Sequence, residues 1–323
     1  MDLGAGVVPV TKLRYVVMMT SVVLFSLALG IALGGGPLQG PMRGVLQSQV
    51  EAVTGANGHE LAALKRENHE LAGSVAYDRR FAEEMSPDLL GTALSDRTVV
   101  VLSLPGVPQS VTEAVVGDVQ TAGGSVTTTL GVGRELVDPT ARPLVDELSK
   151  RLLDDDLEDV EVPEGTSVYT RVGVVAARAL LTSADEADPM DDSARSIFNT
   201  FTTAGLLTGD EPEQRASTAI VLLPEKARPS ATSGGRSTIL TELVAAMDDA
   251  SSGVVVGGPR SAAEAQGLLA AVRSSAATAE SVSTVDSAWQ RGGQVVTVLA
   301  LAREAGGTTG HYGTGDGADS MLP

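Results

Sequence analysis

Few side chains of this sequence are suited to catalysis. Its 323 residues include three histidines and no cysteine, so thiol chemistry is excluded. His59 and His69 lie in a helical segment discussed below, which leaves His311 as the histidine that could join a site. Ser283 and Asp286 could be brought near it, but no G-x-S-x-G elbow frames the serine. We therefore predict no catalytic residues and no enzyme activity.

Metal ligands are similarly sparse. Cu(I) prefers thiolate and thioether sulfur, followed by imidazole. Apart from the adjacent Met18 and Met19, the methionines are scattered, and no pair of histidines is spaced to chelate a metal. The acidic segments 154–161 and 185–192 could offer oxygens to calcium, but neither has the alternating aspartates of a calcium loop. We interpret both as solvated surface and predict no cofactor; the sequence identifies no metal site.

The overall charge limits the classes of partner that we expect the protein to bind. The formal net charge is −18, with 41 acidic and 23 basic residues. Nucleic-acid binding requires a face rich in lysine and arginine to neutralise phosphates. This composition therefore excludes nucleic acid as the expected partner.

The elements that would position functional residues begin with an apolar segment. Residues 15–33 contain no charged side chain, and a helix of that length spans roughly 28 Å, about the hydrocarbon thickness of a bilayer. We predict a transmembrane helix over 15–34, with residues 1–14 in the cytoplasm because Lys12 and Arg14 precede the run. Ala32-Leu33-Gly34 also resembles a signal cleavage site, so cleavage is the alternative. In either case the remaining chain is extracytoplasmic.

Residues 44–85 contain no proline and favour a helical stalk. Five positions follow the alternating three- and four-residue spacing of a coiled-coil seam: Leu61, Leu64, Asn68, Leu71 and Val75. A buried amide at the position of Asn68 costs stability but penalises wrong registers, as it does in parallel dimers. We predict a homo-oligomer formed through this seam. The alternative is a single amphipathic helix that packs on its own domain.

From residue 97 the pattern changes to alternating strands and helices. The predicted strands are 98–104, 125–130, 219–223, 253–256 and 281–285, and the predicted helices are 110–122, 142–153, 237–247, 261–274 and 292–303. This alternation predicts an α/β domain over 97–305, with a Rossmann-like, mostly parallel sheet and helices on both faces. The turns Leu104-Pro105-Gly106 and Gly257-Gly258-Pro259 follow strands, but neither matches a nucleotide-binding motif, so we interpret them as simple turns.

Residues 306–323 form a Gly-rich C-terminal tail with two interpretations. By composition, residues 306–317 are a flexible linker. His311 and Tyr312 are unusual residues for an unordered tail, which favours a docked loop.

Several sequence blocks resemble a known family. They are Ser283-Thr284-Val285-Asp286, the helical block 293–302, Gly310-His311-Tyr312-Gly313-Thr314-Gly315 and the final Leu322-Pro323, with residues 28–34, Glu67-Asn68 and Leu104-Pro105-Gly106 earlier in the chain. Together they resemble the actinobacterial copper transporter (MctB) family, and the likeness covers nearly the whole chain. Because the most specific blocks contain Asp286, His311 and Tyr312, these three residues form our candidate functional surface.

The resemblance implies a single-anchor envelope protein in copper efflux or resistance, with copper as a transported ion. It also makes the outer membrane one expected location, because a pore there is proposed for the type member. A helical pore needs several helices and this sequence has one apolar helix, so a channel would require an oligomer. Some relatives are linked instead to daughter-cell separation, as partners of a peptidoglycan hydrolase. A non-enzymatic scaffold that regulates cell-wall hydrolysis is therefore the alternative function.

Overall fold

The structure is a computed structural model of the chain, which divides into two compact units, Met1–Ser74 and Val75–Pro323. The residues that it describes are 15, 17–26, 39–157, 162–163, 165–184, 188–226 and 232–323.

In the first unit, residues 17–26 are helical. The other residues of the predicted membrane segment, 16 and 27–34, lie outside the described residues, as do residues 1–14. Across the described parts of the chain, we find no helix that combines the length and the apolar character needed to cross a membrane.

A long helix, α1, covers Gln39–Leu90 and contains the whole predicted stalk. The division between the two units falls within it, at residue 75. The helix ends where Gly91 adopts a positive φ of 49° and its amide donates to the Pro87 carbonyl at 2.9 Å. A glycine in this conformation is a common way to terminate a helix, because it carries no side chain to clash.

The second unit contains the α/β domain. Its strands are β1 Thr98–Ser103, β2 Ser125–Val132, β3 Asp188–Pro189, β4 Leu207–Thr208, β5 Gln214–Arg215, β6 Thr218–Leu222, β7 Val254–Gly257, β8 Ser283–Val285 and β9 His311–Tyr312. Its further helices are α2 Gln109–Thr121, α3 Arg142–Asp156, α4 Val168–Leu180, α5 Asp192–Thr203, α6 Ser233–Asp249, α7 Leu268–Ser274 and α8 Arg291–Glu304. Short 3₁₀ helices cover Glu135–Val137, Pro139–Ala141 and Arg260–Ala263.

Seven strands form one sheet in the order β4-β2-β1-β6-β7-β8-β9. All neighbours pair in parallel except β4, which pairs antiparallel with β2. The strand order reverses between β1 and β6, because β1 is followed in the chain by β2 on one side and later by β6 on the other. The predicted α/β class and mostly parallel sheet are therefore confirmed.

Both faces of the sheet are covered, which explains the continuous apolar runs of its strands. In β1, Val100 and Leu102 belong to one buried cluster, while Val99 and Val101 belong to a second cluster on the opposite face. Helices α4 and α6 contribute to the first cluster, and α2 and α8 contribute to the second. Successive strand residues point to opposite faces, so a strand between two helical layers must be apolar throughout.

One predicted helix is wrong. The segment 261–274 was expected to be continuous, but the structure has a 3₁₀ turn at Arg260–Ala263 and a separate α7 from Leu268. Gln266 has a φ of 66°, and a Cβ at Gly267 would collide with the Ala262 carbonyl. The alternation of strands and helices predicted a helix here, but the tight turn that follows β7 interrupts it.

Candidate functional site

Asp286 directly follows β8, at the carboxyl edge of the sheet. Its side chain is fully buried, and three donors reach its carboxylate. The amides of Thr314 and Gly315 donate at 2.9 and 3.0 Å, and Arg273 Nη2 donates at 3.0 Å. A buried carboxylate needs such donors to offset its lost hydration. The hydrogen-bonding capacity of Asp286 is therefore used within the protein.

Arg273 lies on α7 and links Asp286 to the tail. Its side chain is 4% exposed, and besides Asp286 it donates to three other groups. Nε donates to Thr284 Oγ1 at 2.8 Å, Nη1 to the Asp316 carbonyl at 2.7 Å and Nη2 to the Tyr312 carbonyl at 3.1 Å. We call Arg273, Thr284, Asp286 and the bound residues 311–316 the tail clasp.

His311 lies in β9 and is half-buried. Its Nδ1 is 3.0 Å from Thr284 Oγ1, and this hydroxyl oxygen already accepts from Arg273. The hydroxyl can donate its proton to Nδ1 when the imidazole is neutral with its proton on Nε2. Burial, followed by the charge of Arg273, lowers the pKa of His311 below its usual value of 6.5. The ring is therefore mainly neutral at pH 7.

The C-terminal tail is docked through β9. The amide of Thr284 donates to the Gly310 carbonyl, and the amide of Asp286 donates to the Tyr312 carbonyl, each at 3.1 Å. Tyr312 is buried in the second apolar cluster, with a pKa raised by burial. The flexible-linker interpretation of residues 306–317 therefore does not describe the structure, whereas the docked-loop interpretation does.

The candidate residues Asp286, His311 and Tyr312 are thus brought together, but mainly as a structural clasp. Asp286 and Tyr312 are buried and engaged, and the neutral His311 bonds to Thr284 rather than to a carboxylate. Within the described residues, no three histidine, aspartate or glutamate side chains converge to hold a metal ion. The geometry indicates that these residues hold the tail in place, and it indicates no reaction that they would carry out.

Part of the acidic segment 185–192 has a structural role. Asp188 accepts from Arg215 at 2.7 Å, and Asp191 accepts from the Ala194 amide at 2.7 Å and pairs with Arg178. These contacts close the short β3–β5 ladder and begin α5. In the segment 154–161, residues 154–156 end α3, and 158–161 lie outside the described residues.

The predicted seam lies on α1 and is exposed in the single chain. The exposed fractions are 54% for Leu61, 56% for Leu64, 59% for Leu71 and 66% for Val75, and Asn68 is exposed as well. Leucines placed at regular spacing on one helix face are normally covered in a folded protein. The homo-oligomer formed through this seam therefore stays a prediction, as does its alternative.

Sequence reasoning missed a second collection of charged residues at the carboxyl edge. A cavity of about 470 Å³ is lined by the turn Leu104-Pro105-Gly106 and by Arg134, Lys226 and Arg236. The turn was predicted as a simple turn. The three cations come from separate parts of the chain, so their spacing carries no motif.

Comparison with known proteins identifies the family. The family model described as "Copper transport outer membrane protein, MctB" matches residues 11–323. The chain belongs to the MctB family. This match includes the stalk, the sheet domain and the tail clasp, so the family resemblance predicted from sequence blocks is confirmed.

Curated MctB-family relatives match over similar lengths. "Copper transporter MctB" of Mycobacterium tuberculosis (strain ATCC 25618 / H37Rv) is 26% identical over 317 residues, which cover 96% of this chain and 98% of the relative. "Copper transporter MctB" of Mycobacterium leprae (strain TN) is 25% identical over 318 residues, which cover 93% of this chain and 95% of the relative. The similarity thus extends over whole chains rather than over one shared domain.

Proposed function

We propose that this protein is a membrane-anchored component of the cell envelope that contributes to copper efflux or resistance. The observation that carries the proposal is the match of residues 11–323 to a copper-transport family. In this proposal residues 15–34 form a single anchor, residues 1–14 are cytoplasmic, and the sheet domain is extracytoplasmic. The outer membrane, named in the family description, is one of the membranes in which the anchor could lie.

In this proposal the chain associates with further copies through α1. Leu61, Leu64 and Leu71 expose more than half of their surface, and burying each of them is worth roughly 1.5–3 kcal/mol. In a parallel coiled coil, Asn68 would face its counterpart and fix the register. Several copies would also supply the several helices that a membrane channel requires.

Copper is cargo in this proposal rather than a resident cofactor. The described residues hold no cluster of histidine and carboxylate ligands, and the chain has no cysteine. The domain would therefore act through assembly and contacts, while any passage for copper would form between copies of the membrane segment.

Copper handling in a deletion strain tests the proposal. We expect the strain to accumulate copper and to grow poorly across a copper series, and the intact chain to reverse both effects. The double variant Leu64→Glu, Leu71→Glu should fail to do so, because buried carboxylates oppose association. Leu144→Glu, at an exposed leucine of α3, is the matched control. Normal copper content in the deletion strain would rule out the copper role.

Topology can be tested independently because the native chain has no cysteine. We expect a cysteine introduced at Ala5 to be protected from an impermeant thiol reagent in intact cells. A cysteine at the exposed Leu144 should be labelled. Equal labelling of both positions would contradict the proposed orientation.

A non-enzymatic scaffold in cell-wall hydrolysis is the second candidate. It is favoured by the exposed seam together with the lack of a metal-binding cluster among the described residues, since a scaffold needs surfaces and no metal. Crosslinking in intact cells should then recover a peptidoglycan hydrolase or a division protein, and the seam variant should lose it. Recovery of neither class by the intact chain would count against this function.

A further inference from the structure

The cavity beside Leu104-Pro105-Gly106 lies where the strand order of the sheet reverses. Its lining residues follow the carboxyl ends of four strands: Leu104 follows β1, Arg134 follows β2, Lys226 follows β6 and Ala262 follows β7. In open α/β sheets, ligands bind outside the carboxyl ends of the strands at this reversal point. The volume of about 470 Å³ is within the usual range for small-molecule sites. We call this cavity the switch-point crevice.

The crevice collects positive charge in a strongly acidic protein. Arg134, Lys226 and Arg236 line it, although the whole chain has 23 basic residues against 41 acidic ones. Within the described parts of the chain, Arg134 has no carboxylate partner at ion-pair distance. Lys226 is 3.3 Å from the exposed carboxylate of Glu264. Unlike Arg273, Arg134 is therefore not held by a carboxylate of the described residues, whereas Lys226 shares its charge with Glu264.

Two carboxylates, Asp138 and Glu225, line the crevice beside the three cations, so its lining keeps a small excess of positive charge. The amide and hydroxyl of Thr140 both donate to Asp138, and these bonds, with the nearby Arg236, lower the pKa of the Asp138 carboxyl. Glu225 is exposed at the rim. An anion entering the crevice would meet two guanidinium groups whose planar donors suit phosphate oxygens.

The backbone around the crevice is shaped for close approach rather than for amide binding. Pro105 and Pro224 carry no amide hydrogen, so each strand-end turn offers fewer donors to a phosphate than a glycine-rich loop does. Gln266, at the cavity wall, is one of two non-glycine residues with positive φ in the described parts of the chain. Such conformations often occur at ligand sites. We therefore expect recognition to rest on the side chains of the lining.

Apolar side chains complete the walls. Leu104, Val137, Leu240 and Leu268 line the cavity together with the rings of Pro105 and Pro224. A free inorganic ion would leave these surfaces hydrated, whereas an organic body would cover them. The lining thus combines an apolar chamber with cationic groups, the usual composition of a site for an organic anion.

We propose that the switch-point crevice binds a small phosphorylated organic molecule, with Arg134, Arg236 and Lys226 holding the phosphate and the apolar walls holding its body. This inference goes beyond the copper role and does not depend on it. A nucleoside diphosphate has the required chemistry and serves as a probe. We expect the natural ligand to share this chemistry with the probe, namely a phosphate attached to an apolar or planar body.

Calorimetric titration of the full chain in detergent tests the proposal. The probes are ADP, adenosine, citrate and inorganic phosphate. We expect saturable ADP binding at physiological salt, weakening as salt is raised because the ionic contacts are screened. Adenosine lacks the charge, inorganic phosphate lacks the organic body and citrate lacks the phosphate, so each should bind at least about tenfold more weakly.

Variants connect binding to the crevice. Arg134→Gln with Arg236→Gln should weaken ADP binding about a hundredfold, roughly tenfold for each lost guanidinium. Arg151→Gln, an exposed arginine of α3 outside the cavity, is the matched control and should bind as the native chain does. If the double variant fails to fold by thermal unfolding, Lys226→Gln replaces it, with an expected loss of about fivefold for a partly exposed charge.

Three outcomes would overturn the proposal. The first is the absence of saturable ADP binding into the millimolar range. The second is equal ADP binding by the native chain and by a folded crevice variant. The third is citrate binding as tight as ADP binding. The first two would remove the site, and the third would remove the assignment of phosphate. None of them bears on copper tolerance, so the two proposals fail independently.

Discussion

Two groups of charged side chains lie at the carboxyl edge of the same sheet, and they differ in how fully their bonding capacity is used. In the tail clasp, Asp286 accepts from three donors, and Arg273 donates to four acceptors, both away from solvent. In the switch-point crevice, Arg134 has no such partner among the described residues, and an open cavity adjoins it. Saturated charges hold structure together, whereas unsaturated charges beside a cavity are available to a ligand.

The largest expected effect is at the centre of the clasp. Asp286→Asn would leave Arg273 buried without its counter-charge, which costs about 3–5 kcal/mol. Urea unfolding of the full chain should show this loss, and limited proteolysis should cut the tail near residue 311. Asp316→Asn, at an exposed side chain of the same loop, is the control and should unfold as the native chain does. Equal stability of both variants would contradict a structural role for Asp286.

A glycine in the docked tail gives the next effect. Gly313 has a φ of 133°, and a Cβ there would collide with the Asp286 carboxylate. Gly313→Ala combines this clash with backbone strain and should cost about 2–3 kcal/mol.

Gly307→Ala separates the effect of backbone strain from that of the clash with Asp286. Gly307 also has a positive φ, 80°, but a Cβ there would meet open space, so strain alone should cost about 1 kcal/mol. Equal losses for the two variants in thermal unfolding would show that the close approach to Asp286 contributes nothing.

Acid should weaken the clasp through His311, whose pKa is lowered in the folded state. The unfolded chain then binds more protons just below pH 6.5, so this contribution to stability is present above that value and declines as the pH falls through it. His311→Gln should remove this pH dependence, which urea unfolding across the pH range measures.

Glu304 provides a control of opposite sign. Burial raises its pKa, against the opposite effect of the hydroxyls of Ser283 and Thr309 that donate to it, so its contribution to stability grows as the pH falls. Glu304→Gln should therefore steepen the net loss of stability in acid.

If unfolding between pH 5 and 7 is unchanged by His311→Gln, the neutral imidazole has no part in the clasp.

The smallest effect on stability is expected in the crevice. Arg134→Gln should change the free energy of unfolding by less than about 0.5 kcal/mol, as is usual for surface substitutions. Urea unfolding beside Asp286→Asn measures the contrast between the two groups directly. A loss of several kcal/mol at Arg134 would mean that its charge is used structurally, and the comparison would fail.

The sequence predicted the sheet because β1, β6 and β7 are buried on both faces and their apolar runs are continuous. It did not predict β9, since two residues in a Gly-rich segment have no periodicity and pair only because Arg273 and Asp286 bind the tail. It predicted that Asp286, His311 and Tyr312 belong together, through the family resemblance. The sequence did not predict that Asp286 and Tyr312 are buried and bind the tail. Their burial depends on tertiary contacts, which no local sequence pattern indicates.

The crevice was missed for a related reason. Arg134, Lys226 and Arg236 converge only through the crossover connections of the sheet, so their spacing follows from topology and not from a motif. The turns Leu104-Pro105-Gly106 and Gly257-Gly258-Pro259 lacked nucleotide-binding signatures, and that observation stands. The strand order was the missing information, because it determines where a parallel sheet opens a cavity.

The two outer strands of the large sheet, β4 and β9, each contain two residues, and β4 runs against the direction of the others. Ser320, which is not part of a strand, forms an isolated β-bridge with Tyr312 of β9. Short or covered outer strands leave few open amides and carbonyls to template another chain. Sheet-to-sheet aggregation is thereby disfavoured even when many copies are crowded together. The predicted seam of α1 is helical, and a helix presents no such open edge.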